Sequence, residues 1–348
     1  MHRYYCTCFD RNYLVRGLAL HASLLAHESV KFTIFVVCLD ELTRLILEKL
    51  ALQGVVCVPL NLPEQADPAL QKARHNRSVV EYYWTLTPTI ISYIMKNYRE
   101  ADIVTYLDSD LFFFSDPGPI FEEFAGRHVM IHEHRFHKGL EGLLEYGRFN
   151  VGLLSFRRSP EGLGVLDCWR QQCNEWCYAR LEDGKYGDQL YLDEWPERFE
   201  GVHLLQHKGV GVAPWNNLNY EYGSDSEGRT TVDGFPLIFY HFHALHFVHP
   251  KCVVLSKIPA HRLSIALVLC CYLPYVRSLG DAVKRVREIL PEFSCGIYGD
   301  MIVDTAAIIE DADRVDYVTP DKGLVSPEMV KLDDRFALLL SPQLVNSI

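Results

Sequence analysis

The sequence lacks an excess of positive charge, a long apolar run and any internal repeat. Its 34 Lys and Arg residues stand against 45 Asp and Glu residues, which gives a formal net charge of −11. Nucleic-acid binders carry basic patches or stripes, and none is visible here, so a nucleic-acid partner is excluded. The longest apolar stretch, residues 266–276, falls short of the roughly 20 residues that cross a bilayer, so no transmembrane segment is expected.

The N-terminus also lacks the basic-then-apolar layout of a secretory signal. Eleven cysteines lie scattered through the chain, and we expect reduced thiols in a cytoplasmic protein. Cys168, Cys173 and Cys177 do not have a zinc-ligand spacing and are expected to line a helix. With 348 residues and 49% hydrophobic content, the chain can build one large domain, or one domain with an extension.

Strand and helix patterns alternate over the first 115 residues. The predicted strands are residues 4–9, 32–39, 55–60 and 103–107, and the predicted helices are residues 14–25, 41–52 and 79–98. This alternation predicts an α/β fold with a mostly parallel sheet and helices on both faces. Residues 61–76 are polar and contain two prolines, so a loop is predicted there.

The pattern becomes helical after about residue 255. Residues 256–348 are therefore predicted to form a mostly helical C-terminal extension, with helices at 260–276 and 279–290. Three roles stay open for this helix pair: packing on the core, a dimer contact, or a weak contact with a membrane surface.

The most informative stretch is residues 103–117, where an apolar strand ends at Asp108-Ser109-Asp110. Two carboxylates at a strand end are costly to bury unless they are paired or bind a cation. Mg²⁺ and Mn²⁺ prefer carboxylate oxygens and share them with phosphates. Because open α/β sheets bind ligands at this edge, the stretch predicts a metal–diphosphate site. A plain strand-end turn and the nucleophile pair of a haloacid-dehalogenase-type phosphatase remain alternatives.

A histidine-rich segment, residues 240–249, supplies further candidate ligands. On a strand, His241 and His243 share one face, and neutral imidazole binds Mn²⁺ and Zn²⁺ well. Two carboxylates and one imidazole leave positions open for phosphate oxygens and water. A separate zinc site made by these histidines alone is the alternative. The remaining histidines of interest are expected to pack or lie on the surface: His128, His132, His134, His137, His246 and His249.

Five short motifs follow one another along the chain: Asp10-x-Asn12-Tyr13, Tyr106-Leu107-Asp108-Ser109-Asp110, Asn150-Val151-Gly152, Asp188-Gln189 and His241-Phe242. Their order resembles that in the metal-dependent glycosyltransferases of the GT-A fold. The pattern is most similar to glycosyltransferase family 8, which includes glycogenin and bacterial lipopolysaccharide sugar transferases. The resemblance implies a GT-A domain over residues 1–255, with a Rossmann-like mixed sheet flanked by helices. It also implies a hexosyltransferase that uses Mn²⁺ or Mg²⁺, a nucleoside-diphosphate sugar (a UDP-sugar is favoured) and a carbohydrate or lipid-linked acceptor.

The resemblance also implies a role for each matching residue. Donor-binding residues would be Cys8, Asp10, Asn12, Tyr13, Arg77 and Ser109, and metal ligands would be Asp108, Asp110 and His241, with His243 as a fourth candidate. Asn150, Asp188 and Gln189 would lie at the reacting centre. Asp188 has three open roles: a base, a sugar-anchoring residue, or a structural helix cap.

This sequence departs from the family pattern where the diphosphate is gripped. Ala244 replaces a glycine, and Phe247 stands where a lysine is expected. The residue that holds the diphosphate is therefore not identified. A non-catalytic protein that binds nucleotide sugar or metal on the same fold is the second functional hypothesis.

Overall fold

The structure, a computed structural model, describes residues 2–249, 252–256, 258, 260–297, 313–315, 328–332 and 335–339. The strands are β1 (His2–Phe9), β2 (Lys31–Cys38), β3 (Val55–Pro59), β4 (Ile103–Leu107), β5 (Leu111–Phe113), β6 (Val129–Glu133), β7 (Phe149–Arg157), β8 (Val202–Leu204), β9 (Tyr222–Ser224), β10 (Thr230–Val232), β11 (Phe235–Pro236), β12 (Phe239–His241), β13 (His246–His249), β14 (Cys252–Val254), β15 (Asp313–Val315), β16 (Glu328–Leu332) and β17 (Arg335–Leu339).

The α-helices are α1 (Leu14–His27), α2 (Glu41–Leu50), α3 (Asn61–Ala66), α4 (Ala69–Asn76), α5 (Val79–Asn97), α6 (Gly118–Glu123), α7 (Pro160–Glu175), α8 (Trp195–Arg198), α9 (Ile265–Leu267) and α10 (Leu273–Arg287). Short 3₁₀ helices span Glu141–Tyr146, Leu190–Glu194 and Asn217–Asn219, and a π-helical turn, Val268–Tyr272, joins α9 to α10.

A seven-stranded sheet with the order β3-β2-β1-β4-β7-β6-β8 forms the centre of the molecule. Strands β3, β2, β1 and β4 are parallel, whereas β7 is antiparallel to both β4 and β6. The apolar, β-branched residues of β2 are buried on both faces, as parallel strands require. The α/β fold with a mixed sheet is confirmed.

Each face of the sheet carries its own apolar core. On one face, Tyr5 and Ile34 pack with α1, α2 and α10, and on the other, Cys6 and Phe35 pack with α5 and α7. Successive strand residues point to opposite faces, so neighbours such as Tyr5 and Cys6 contribute to different cores. The helices therefore cover the sheet on both sides and leave its edge at the carboxyl end of β4 for other groups.

The predicted loop at residues 61–76 is wrong, because this segment forms the two short helices α3 and α4. Pro63 lies in the first turn of α3 and Pro68 is the N-cap of α4, and prolines are tolerated at helix starts. Pro88 lies within the continuous helix α5, which a Ser78–Glu81 capping box begins.

The two helices predicted at residues 260–276 and 279–290 form one continuous helical segment, Ile265–Arg287. By length and composition this segment could cross a membrane, but half of its apolar window is buried inside the protein. Tyr272, Tyr275, Leu279 and Val283 are buried in the core that includes α1. The contacts favour core packing among the three open roles. The extension also contributes β15, β16 and β17, which sequence analysis did not predict, to a sheet with β13 and β14.

Candidate functional site

The Asp108-Ser109-Asp110 motif forms a tight turn between β4 and β5. The backbone N–H of Leu111 donates to the Asp108 carbonyl (3.2 Å), and that of Asp108 donates to the Gly152 carbonyl on β7 (2.9 Å). Strand β5 pairs with β12 so that Leu111 lies opposite His241. This long-range pairing places the histidine segment beside the acidic turn.

Four side chains, which we call the metal corner, come together here: Asp108, Asp110, His241 and His243. His241 Nε2 lies 3.1 Å from Asp110 Oδ1 and 3.7 Å from Asp108 Oδ2. One ligand atom from each of Asp110, His241 and His243 lies within 4.8 Å of the other two. Oxygen and imidazole ligands at such spacing suit Mn²⁺ or Mg²⁺ with positions left for phosphate. The metal corner therefore has the chemistry of a divalent cation site.

The electrostatics of the metal corner are dominated by the Asp110–His241 pair. Burial alone raises the pKa of Asp110, but the charge and hydrogen bond of His241 outweigh it and lower the pKa to about 2. Burial lowers the pKa of His241, but Asp110 and Asp108 outweigh it and the net shift is upward. Burial, with the Asp110 charge, raises the pKa of Asp108 to about 6. The raised pKa of His241 widens the pH range in which a protonated imidazole balances part of the acidic charge, in the place where a cation would act.

The loop after β1 lies beside this corner and is built around Asp10. Its Oδ1 accepts the backbone N–H groups of Asn12 (2.9 Å) and Tyr13 (3.2 Å), which fixes the turn before α1. Cys8 Sγ is 4.0 Å from the hydroxyl of Tyr106, and that hydroxyl donates to Asp108 Oδ1 at 3.0 Å. The predicted base-and-ribose segment is therefore joined to the metal corner through Tyr106.

Asn150 lies next to His241 at the start of β7. Its Oδ1 accepts the Gly152 N–H (2.8 Å), and its Nδ2 lies 3.1 Å from His134 Nε2. A Cβ on Gly152 would lie 2.6 Å from Asn150 Oδ1 and 3.0 Å from the His241 ring. Glycine is therefore required at position 152 for these two side chains to approach the strand.

Asp188 and Gln189 lie in the segment after α7. Asp188 is only 6% exposed, and burial, with a smaller contribution from the Asp108 charge, raises its pKa to about 8. The side-chain amide of Gln189 donates to the Tyr146 carbonyl (2.7 Å), so it holds the Glu141–Tyr146 helix. Gln189 is also the N-cap residue of Leu190–Glu194, without a side-chain cap bond. The charge of Asp108 in the metal corner thus acts on Asp188, and the structure describes no helix that Asp188 caps.

Arg77 and Ser109 differ in how the structure places them. Ser109 is buried between the two acids. The guanidinium of Arg77 donates to the Tyr178 hydroxyl (2.9 Å) and to the carbonyls of Cys173 and Asn174. These contacts hold Arg77 at the C-terminal end of α7 and do not bring it to the metal corner. Its role in donor binding stays a prediction.

Sequence analysis missed Arg16, a buried arginine on α1. Its guanidinium donates to the carbonyls of Asn12 (3.2 Å) and Leu245 (3.1 Å) and lies 4.5 Å from the Tyr13 ring centroid. Its positive charge is among the causes that lower the pKa of Asp110. The sequence did contain a signal for this residue. Arg16 is a charged residue among the apolar residues at the start of α1, and this helix directly follows the Asp10–Tyr13 motif.

The two departures from the family pattern have different structural outcomes. Phe247 is 2% exposed and packs in the core, so it cannot contact a diphosphate. Ala244 has φ of 64°, in the left-handed region where glycine is favoured. The chain thus keeps a glycine-like turn after His243 even though the residue is alanine.

Several of the histidines predicted to pack do so. Burial lowers the pKa values of His132 and His134 to about 3, so both are neutral. His137 is also buried, and the side chain of His249 lies outside the described residues.

No family model matches the chain. Two uncharacterized proteins of Bacillus subtilis (strain 168) are similar to it. YfnD is 32% identical over 297 residues, which cover 84% of this chain and 94% of YfnD. YfnF is 34% identical over 299 residues, which cover 83% of this chain and 96% of YfnF. Among solved structures, the galactosyltransferase LgtC in complex with donor and acceptor sugar analogs has a TM-score of 0.50 and 17% identity, over 80% of this chain and 95% of LgtC. This likeness shows a GT-A fold.

Proposed function

We propose that this chain, which belongs to the same family as the Bacillus subtilis proteins YfnD and YfnF, is a metal-dependent glycosyltransferase. It would move a sugar from a nucleoside-diphosphate sugar, with a UDP-sugar favoured, to a carbohydrate or lipid-linked acceptor. The observation that carries this proposal is the metal corner, where Asp110, His241 and His243 offer ligand atoms within 4.8 Å of one another at the end of β4. The GT-A fold supports it, because LgtC is a galactosyltransferase with that fold.

The chemistry of sugar transfer fits this arrangement. When the bond between sugar and diphosphate breaks, negative charge builds on the leaving diphosphate. A cation held by Asp108, Asp110, His241 and His243 would neutralise that charge. The protein's contribution is to hold these ligands in place before the reaction, through the β5–β12 pairing and the hydrogen bond from Tyr106 to Asp108.

Asp188 and Asn150 would orient the donor sugar. With a pKa raised to about 8, the Asp188 carboxyl is mostly protonated at neutral pH, so it can donate a hydrogen bond to a sugar hydroxyl, and only its small ionised fraction is available as a base. We therefore favour the sugar-anchoring role for Asp188 over the base and cap roles. Asn150 is oriented by Gly152 and His134, and Gln189 holds the neighbouring segment through Tyr146.

The experiment is a donor screen. UDP-, GDP- and TDP-sugars are each incubated with the protein, with and without Mn²⁺, and free sugar and transfer to added acceptors are measured. We expect one donor to be hydrolysed or transferred only when Mn²⁺ is present, and Asp110→Asn to remove this activity. Asp167→Asn is the matched control, because Asp167 is a half-exposed carboxylate on α7 that pairs with Arg170.

Hydrolysis that does not depend on metal would contradict the proposal. Donor binding without hydrolysis or transfer to any acceptor would favour the non-catalytic hypothesis instead. Haloacid-dehalogenase-type phosphatase chemistry does not fit, because the fold is GT-A.

A further inference from the structure

Arg16 is a buried cation that the charge of Asp110 reaches only from beyond ion-pair distance. Its side chain is on α1, the residue is 6% exposed, and both of its hydrogen bonds go to backbone carbonyls. Among the residues that the structure describes, no carboxylate lies within ion-pair distance of its guanidinium. Buried charges are normally paired, so this arrangement indicates an anion that is not part of the protein.

The hydroxyl of Tyr275 on α10 is a second unsatisfied group in the same place. Tyr275 is fully buried, and its hydroxyl has no hydrogen-bond partner in the described part of the chain. The Tyr275 ring stacks on Phe242 at 3.8 Å, and the Phe242 N–H donates to the Asp110 carbonyl. Buried hydroxyl groups are nearly always hydrogen-bonded, so an orphan needs an explanation.

Arg16 and Tyr275 hold opposite ends of the same turn, residues 242–245. Arg16 contacts the Leu245 carbonyl and Tyr275 contacts Phe242, and α1 packs against α10. The turn begins directly after His241, a residue of the metal corner. Both groups are therefore next to the point where a metal-bound diphosphate would lie.

The charge balance at the metal corner favours a positively charged side chain beside the diphosphate. Asp108 and Asp110 already cancel the two positive charges of a divalent cation, so a diphosphate bound to that cation keeps its own negative charge. A nearby arginine is well suited to phosphate oxygens, because its planar guanidinium presents several N–H donors.

We propose that Arg16 and the Tyr275 hydroxyl bind the diphosphate of the donor, in place of the lysine that this chain lacks. Arg16 supplies charge and hydrogen bonds to phosphate oxygens, and Tyr275 donates one hydrogen bond. This inference rests on the proposed function, since it requires a nucleoside-diphosphate donor.

The test is calorimetry in Mn²⁺ with UDP, GDP and TDP, followed by the nucleoside of whichever diphosphate binds tightest. We expect Arg16→Gln to weaken diphosphate binding by about tenfold or more, and to leave nucleoside binding unchanged. Arg16→Lys should recover part of the loss, because it keeps the charge. Tyr275→Phe should weaken diphosphate binding by about threefold without lowering the melting temperature, since it removes a hydroxyl that has no partner.

Arg158→Gln is the matched control. Arg158 also donates only to backbone carbonyls, those of Met95, Tyr98 and Ala101, but it lies at the opposite end of β4. Its replacement should lower stability and leave diphosphate binding unchanged.

Three outcomes would overturn the inference. If Arg16→Gln weakens nucleoside and diphosphate binding equally, Arg16 has a structural role. If Tyr275→Phe and Arg16→Gln both bind the diphosphate as tightly as the wild type does, other residues hold the diphosphate. The proposed function still stands in that case. If the wild type binds none of the three diphosphates with Mn²⁺, the proposed function fails as well. Should Arg16→Gln not fold, Arg16→Lys and Tyr275→Phe decide between these results.

Discussion

Two carboxylates of the candidate site, Asp110 and Asp188, have pKa values that are shifted in opposite directions. Asp110, in the metal corner, is paired with His241 at 3.1 Å and has a pKa of about 2. Asp188 is 6% exposed, against 13% for the Asp110 side chain, but in the described part of the chain it has no ion-pair partner, and its pKa rises to about 8. Burial penalises the charged form in both cases, and only the partner differs. The comparison shows how one site can contain both a charged cation ligand and a neutral hydrogen-bonding acid.

The largest expected difference between Asp110 and Asp188 is the effect of their substitution on Mn²⁺ affinity. Asp110→Asn should weaken Mn²⁺ binding by at least about a hundredfold, because an amide is a poor substitute for a carboxylate ligand. Asp188→Asn should leave Mn²⁺ affinity nearly unchanged. Calorimetric titration of both variants measures the difference, and an equal loss in the two would break the comparison.

The pH dependence of Mn²⁺ binding is the next effect. Mn²⁺ must displace the proton that His241 holds through its raised pKa, and below about pH 6 a proton on Asp108 as well. Affinity should therefore fall by about tenfold or more per pH unit as pH drops through these pKa values, and level off above them. Asp188→Asn should show the same profile. A flat profile in the wild type would contradict the protonated Asp110–His241 pair.

Stability against pH should differ in sign between the two carboxylates. Asp188 has a folded-state pKa above its ordinary value of 3.8, so the folded state holds its proton more tightly, and stability falls as pH rises from about 4 to about 8. The free energy of unfolding of Asp188→Asn should therefore increase relative to that of the wild type between pH 5 and pH 8, by on the order of 4 kcal/mol.

Asp110 should behave in the opposite way. Its folded-state pKa lies below 3.8, so its stabilisation is fully present above that pH and is lost only in acid. Asp110→Asn should be destabilised at both pH 5 and pH 8, and less at pH 8, because His241 loses its charge as pH rises through its raised pKa. Urea unfolding of both variants at pH 5 and pH 8 measures these changes in the free energy of unfolding. If the two variants change by the same amount relative to the wild type between these pH values, pairing does not set the charge of the two carboxylates.

The smallest effects concern the turns beside the two carboxylates. Ala244 and Gly187 both have positive φ, 64° and 52°. Ala244→Gly should raise stability by at most about 1 kcal/mol, because glycine relieves left-handed strain but loses more chain entropy. Gly187→Ala should lower it by about 1–2 kcal/mol, since the new Cβ would lie 3.3 Å from the Trp84 ring. Thermal unfolding of Ala244→Gly and Gly187→Ala measures both effects. If the two substitutions change the melting temperature in the same direction, the turns are not strained as described.

Sequence reasoning succeeded where the information was local. The alternating strands and helices, the acids at the end of β4 and the histidine segment are properties of short stretches, and the β5–β12 pairing places the histidine segment beside the acids. It was less successful where a side chain could point in more than one direction. Arg77 belongs to the predicted segment, yet its guanidinium folds back onto α7. Arg16 reaches Leu245, which is 229 residues away in the chain, and no local pattern encodes such a contact.

The most direct test of the account is calorimetric titration of a UDP-sugar into the wild type and Asp110→Asn, with and without Mn²⁺. We predict binding to the wild type that requires Mn²⁺, and a loss of that binding in the variant. Binding that is unchanged without metal, or unchanged in Asp110→Asn, would contradict the account.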